Sequence, residues 1–317
     1  MKKQILLVIA GLVATGHIHA KQMDFSKVSA QANWIAHADV DALRKSVVGS
    51  FLLTQVKEDP EAAKGIAMLQ AVFGLDIDSV SSFSAFGRDK DKAIFLAKGG
   101  FDSERLQPMV ELNESYSAKN HKGTVIHLID QKTAEPKAIA FTGNDELLGS
   151  PSLGFTQHAL DVAGGRSPSL KPGKIHKALV ESFSSPIIMM SVDVKGMAEL
   201  DKPAKGPEAV IIQKADAIGL AVGETGDMLM ASAILQTADV ETAKHVENIA
   251  RGFTSLLALG ADIEPELAEL LAQTKTQVSR KDQIVSMKLG IDIQTVKKTI
   301  AREVEKNRGR KIDSSLD

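Results

Sequence analysis

The chain has 317 residues, 44% of them apolar and 25% charged, which is enough material for a sizeable core and too much chain for one average domain. Its 38 lysines and arginines against 40 aspartates and glutamates leave a formal charge of −2, which provides no basic surface for nucleic acid or an anionic membrane. Cysteine is absent and aromatic residues are only 4%, with Trp34 and Tyr116 the single members of their kinds; this excludes a disulfide framework, a thiol nucleophile and a lipidated cysteine, and argues against the aromatic girdles of an outer-membrane barrel.

The N-terminus carries a basic n-region at Lys2 and Lys3, a short apolar segment from Ile5 to Val13, and a small residue suited to cleavage at Ala20. The apolar segment is too short to span a bilayer, which takes about 20 apolar residues. The pattern is that of a Sec-type signal peptide over residues 1–20, cleaved after Ala20, and predicts a periplasmic or secreted product with no transmembrane segment. Losing Lys2 and Lys3 moves the formal charge of the mature chain from −2 to −4.

Ala32 to Ala38, ANWIAHA, reads as the first strand and ends at Asp39. Asp39 or Asp41 then caps a helix with Leu43, Val47, Phe51 and Leu52 at helical spacing, in which Gly49 costs about 1 kcal/mol relative to alanine. A second helix starts at Asp59 and Pro60, proline being favoured at the first helical position, and stops at Gly74. From Ser79 an apolar run ends at Gly87, a charged turn through Asp91 leads into a second apolar run, and Asp102 with Glu104 opens a helix to Glu111. Strands follow at Tyr116–Lys122, Thr124–Ile129 and Lys137–Thr142, and Ser152 caps a helix through Ala163. Gly164 to Lys174, GGRSPSLKPGK, marks a boundary.

The same order then recurs. Ile187 to Met197 repeats strand and helix with Asp193 in the place of Asp39, and Pro207 and Glu208 open a helix as Pro60 and Glu61 do. Ala217 to Asn248 repeats the 79–111 unit, with Gly223, Asp227, Asp239 and Glu241 in the places of Gly87, Asp91, Asp102 and Glu104. A short helix at Pro265, a hairpin from Lys275 to Gly290 matched to the strands at 116–129, and a helix from Asp292 to about Lys306 precede a basic tail, Lys306 to Lys311. The prediction is an α+β fold built by tandem duplication of a strand-helix-helix-hairpin-helix-hairpin unit, with helices covering one face of mostly antiparallel sheets. Residues 21–170 form the N-terminal repeat and 171–317 the C-terminal repeat with the basic tail.

His37, Asp39 and Asp41 are the most suggestive polar cluster, since positions i, i+2 and i+4 of a strand share a face and an imidazole with two carboxylates could ligate a metal. Against this, the strand ends here, so the aspartates are natural helix caps, and Ser191, Asp193 and Lys195 stand in the matching places of the second half. The other histidines of the mature chain form no zinc motif, and neither Gly-x-Ser-x-Gly nor Ser-x-x-Lys occurs. GLAVGETGD, Gly219 to Asp227, reads as a hairpin turn, because a phosphate loop needs a helix after its last glycine. No catalytic residue, metal or cofactor is assigned.

The opening WIAHADVDAL, Gly49, GGFD at Gly99 to Asp102, KGTVIHLID at Lys122 to Asp130 and ALDVAGGRSPSL at Ala159 to Leu170 make the first half resemble a group of exported bacterial hypothetical proteins. The resemblance covers residues 33–170, rests on structural punctuation, and implies an envelope protein with no catalytic residue to carry over. The leading expectation is a non-enzymatic periplasmic or secreted protein that binds another envelope macromolecule or serves as a scaffold. The alternatives are a hydrolase using His37 with Asp39 or Asp41, and a carrier of an apolar ligand between the two halves, prompted by the methionine-bearing runs IIMM and MLMA.

Overall fold

The computed structural model describes residues 23–73, 75–88, 93–112, 114–129, 137–143, 145–195, 212–258 and 274–313. The leader, Asp91 in the first charged turn and the helix starts at Pro207 and Pro265 lie outside the described residues. In chain order the elements are β1 (Trp34–Asp39), α1 (Val40–Lys45), α2 (Val47–Glu58), α3 (Pro60–Phe73), β2 (Val80–Gly87), β3 (Ala93–Gly99) and α4 (Ser103–Glu111). Then come β4 (Ser117–His121), β5 (Thr124–Ile129), β6 (Lys137–Phe141), β7 (Glu146–Ser150), α5 (Leu153–Ala163) and α6 (Lys174–Val180). The remainder is β8 (Ile188–Asp193), β9 (Ala215–Thr225), β10 (Met228–Thr237), α7 (Val240–Ala258), β11 (Lys275–Lys281), β12 (Ile284–Asp292) and α8 (Ile293–Asp313).

Local chemistry sets most boundaries. The Ala42 N–H donates to Asp39 Oδ1 at 2.8 Å, so Asp39 closes β1 and caps α1. The helix expected to run on from there is two helices, because Ser46 is extended and serves both: its N–H bonds the end of α1 while its Oγ accepts the Gly49 N–H at 2.9 Å to start α2. Asp102 caps α4 through the Arg105 N–H. GETGD is a hairpin turn: β9 and β10 pair up to Thr225 and Met228, leaving Gly226, at φ +56°, and Asp227 as the two-residue loop. Lys306–Lys311, expected as a tail, continues α8.

The twelve strands among the described residues join one antiparallel sheet in the order β11-β12-β10-β9-β8-β1-β2-β3-β7-β6-β5-β4. The strands of the two halves meet at β1 and β8, Ile35 opposite Ser191. A second link is made by Glu224 of β9, whose carboxylate accepts the Val47 and Val48 N–H groups at 2.7 and 2.8 Å, a negative charge at the N-terminus of α2. Beside β10 lies the hairpin β11–β12, in the position that β6–β7 holds beside β3; the hairpin β4–β5, to which the sequence comparison matched it, lies at the far edge.

Helices lie on both faces of this sheet, which corrects the single covered face expected from the sequence. Successive residues of β10 enter different cores: Ile234 belongs to the large core that also holds Leu179 of α6 and Leu160 of α5, whereas Leu235 belongs to a second one with Ala243, Val246 and Ala250 of α7 and with Val278 and Val285. A strand buried on both sides reads as a near-continuous apolar run, and MLMASAIL, interrupted only by Ser232, is one.

Candidate functional site

On the face carrying α5 and α6, the register aligns side chains across four strands. Ile35, Phe86 and Ile94 form an apolar row; the next is His37, Ser84, Leu96 and Leu148; the one beyond is Asp39, Ser82, Lys98 and Glu146. Where the polar row begins, the segment Met23–Val28 borders a half-open cavity of about 430 Å³. His37, Ser82, Ser84, Lys98 and Glu146 line its floor, and Met23, Val28 and Leu96 supply apolar wall.

The polar groups here are engaged unequally. His37 is 4% exposed, and its Nδ1 lies 2.8 Å from Ser84 Oγ. Buried Glu146 takes the Lys27 ammonium at 2.5 Å and the Thr142 hydroxyl at 2.7 Å, so its charge is matched. Asp24 accepts both the N–H and the hydroxyl of Ser26. Lys98, directly opposite Glu146 in the ladder, makes no ion pair or side-chain hydrogen bond to the described residues.

The His37, Asp39 and Asp41 constellation is not assembled as a site. His37 and Asp39 do share a face, but Asp39 caps α1, and burial, reinforced by the Asp41 charge, pushes its carboxyl above the usual carboxylate range. Asp41 is salt-bridged to Arg44 at 2.6 Å. Among the described residues no group of three histidine, aspartate or glutamate side chains could hold a metal ion. The other histidines are dispersed: His121 bonds Asp161, His158 bonds Ser29, His176 accepts the Gly173 N–H, and His127 meets Tyr116. Sequence reasoning missed Ser84, Lys98 and Glu146; the alternation in SVSSFSAF placed Ser82 and Ser84 on one face with Phe86, but their neighbours follow only from the register.

Two of these histidines couple stability to pH. His127 is 1% exposed, ringed by Tyr116 and Phe141, and burial lowers its pKa against a smaller opposing effect of Glu111. Burial also lowers the pKa of His176. Both are held neutral, so the unfolded chain binds protons that the folded one does not as pH falls below about 6.5, and stability decreases with it. Urea midpoints are expected to be lower at pH 5.5 than at pH 7.5, with most of the difference removed in the double variant His127→Phe, His176→Asn; equal midpoints in the native chain would exclude the coupling. The carboxylates with lowered pKa, Asp161, Asp239, Glu241 and Glu247, lose their contribution only at more acid pH.

The opposite face is open at the centre of the sheet. One row runs Leu220, Met190, Ala36, Ala85, Phe95 and the next Val222, Ile188, Ala38, Phe83, Ala97, across β9, β8, β1, β2 and β3. All ten are apolar, and four of the large ones stand in solvent: Phe95 is 55% exposed, Met190 43%, Leu220 38% and Phe83 36%, with Ile188 and Val222 half-buried between them. Neither the 430 Å³ cavity nor a wider one of about 840 Å³ beside α6 is lined by these four side chains.

No protein-family model matches the chain, and no curated protein is significantly similar to it in sequence. Among solved structures it is similar to TP0453: to crystal form III at 9% identity and TM-score 0.47, over 90% of this chain and 100% of that one, and to crystal form IV at 8% and 0.49, over 89% and 97%. Crystal form I gives 9% and 0.44, over 90% and 99%. Among the described residues no helix is long and apolar enough to cross a membrane.

Proposed function

We propose that the chain is an exported, non-enzymatic binding protein of the bacterial envelope, and that it engages a protein partner through the open face of its sheet. The observation that carries this is the ten-residue apolar surface centred on Phe83, Phe95, Met190 and Leu220, which spans five strands, about 19 Å at the usual strand spacing, without a charged or polar side chain. Contiguous exposed apolar surface of this kind marks an interaction site. It is an open surface, and small molecules are taken in concave sites, so a partner with an apolar face of its own fits it better. A carrier of an apolar ligand between the halves has less support: β1 and β8 fill the seam with a strand ladder, and the 840 Å³ cavity sets six charged residues, Arg88, Lys171, Lys174, Asp193, Lys195 and Asp216, among apolar ones such as Ile35, Leu170 and Ile175.

The test is a photocrosslinking residue at position 95 or 220 of the mature chain in its own envelope, with position 119 as the control. The same partner is expected in near-stoichiometric yield from 95 and 220, absent from 119, and lost in the double variant Phe83→Ser, Met190→Ser. Identical capture from all three positions would remove the reading.

Two further parts of the proposal concern origin. Export rests on the Lys2–Lys3, Ile5–Val13 and Ala20 pattern, and N-terminal sequencing of the product should start at Lys21. Descent from a duplicated α+β unit is supported by the strand order read outward from the seam, β1-β2-β3-β7-β6 on one side and β8-β9-β10-β12-β11 on the other. On that reading the boundary near residue 170 separates two units that share one sheet.

A further inference from the structure

We propose that the 430 Å³ cavity beside Met23–Val28 is a binding site for a small monocarboxylate with an apolar body, held by Lys98, Ser82 and Ser84. The volume is in the range of small-ligand pockets. Its charges are not equivalent: Glu146 is neutralised by Lys27 and Asp24 is turned onto Ser26, whereas Lys98 has no partner among the described residues and lines the same space. A cation with hydroxyls beside it on an adjacent strand is the donor set a carboxylate needs, a charge-assisted bond plus neutral hydrogen bonds.

His37 completes the set through Ser84. With the imidazole proton on Nδ1, His37 donates to Ser84 Oγ across their 2.8 Å contact and the serine hydroxyl proton is free to turn toward the ligand. Bound carboxylate therefore selects that tautomer. The apolar wall of Met23, Val28 and Leu96 takes the ligand's body, and Lys98 as the single unmatched cation among the described lining residues neutralises a monoanion and leaves a dianion half matched. This discriminates against inorganic phosphate, which has the charge without the apolar part.

The experiment is calorimetric titration of the mature chain at pH 7 with hexanoate, hexanol, hexylamine and inorganic phosphate, together with the ¹⁵N resonances of the His37 ring. Hexanoate is expected to bind and to move the His37 signals toward the Nδ1–H tautomer, while the other three bind at least tenfold more weakly. Lys98→Met should weaken hexanoate at least tenfold with an unchanged circular dichroism spectrum. Absence of hexanoate binding, equal binding of hexanol or of phosphate, or unmoved His37 signals on saturation would each overturn the assignment; the ring signals are read in the native chain and stand whether or not the Lys98 variant folds.

Discussion

Replacing Arg44 with methionine is expected to cost the mature protein about 3–5 kcal/mol, the range for breaking a buried ion pair from one side. Arg44 and Asp41 retain only 10% and 7% side-chain exposure, and the guanidinium also donates to the carbonyls of Ile77 and Val80 at 3.2 and 2.5 Å. One side chain thereby ties the turn before β2 to the helix after β1. The pair itself contributes little net stability, since Asp41 Oδ2 and Arg44 Nε are buried without hydrogen-bond partners among the described residues and desolvation offsets much of the attraction. Removing one partner is different: the Asp41 charge and two carbonyls then stay buried with nothing to meet them. A domain of ordinary stability, about 5–15 kcal/mol, would lose a third or more of it. Urea denaturation decides the matter, and the double variant Arg44→Met, Asp41→Asn should recover part of the loss. A single variant within about 1 kcal/mol of the native chain would show that the pair is not buried in solution.

Where a boundary depends on neighbours a few residues away, it was legible in the sequence. Asp102 capping α4, Pro60 opening α3 and the Gly226-Asp227 hairpin are cases in which one residue type has one favourable place. What escaped depends on distant partners. β7 is five residues, ELLGS, too short to display a period, and becomes a strand by pairing with β3 fifty residues earlier in the chain. α6, seven residues of KIHKALV after a proline-rich stretch, is too short to be stable alone and forms because Ile175 and Leu179 pack on the sheet. The assignment of helices to one face failed for the same reason, since Ile234 and Leu235 look alike in the sequence and only the packing of α6 and α7 divides them. At the cavity, His37 was visible as a polar residue in an apolar strand, but Ser84, Lys98 and Glu146 come from three further strands and converge on it only through register.

The second large effect is at Gly49, where helix propensity and packing predict opposite signs. Taken as a helical position, Gly49→Ala should stabilise α2 by about 1 kcal/mol. The elbow at Ser46 brings α1 so close that an added Cβ would lie 1.9 Å from the Leu43 carbonyl oxygen, 2.5 Å from Ser46 Oγ and 2.7 Å from Leu43 Cδ1. A side chain could turn away, but Leu43 O is backbone at the last turn of α1 and accepts the Ser46 N–H and hydroxyl, so relief would open the elbow and the cap that starts α2. Overpacking of this kind costs about 1–3 kcal/mol or more, and loss of the Ser46 cap adds about 1. Packing therefore wins, and Gly49→Ala should lower the thermal midpoint. Gly65 in α3 is the internal control: an added Cβ there meets nothing within 4 Å, so Gly65→Ala should raise stability by up to about 1 kcal/mol. If both substitutions stabilised, the two helices would be one in solution, as the periodicity of Leu43, Val47, Phe51 and Leu52 first implied, and Glu224 could not reach the start of α2.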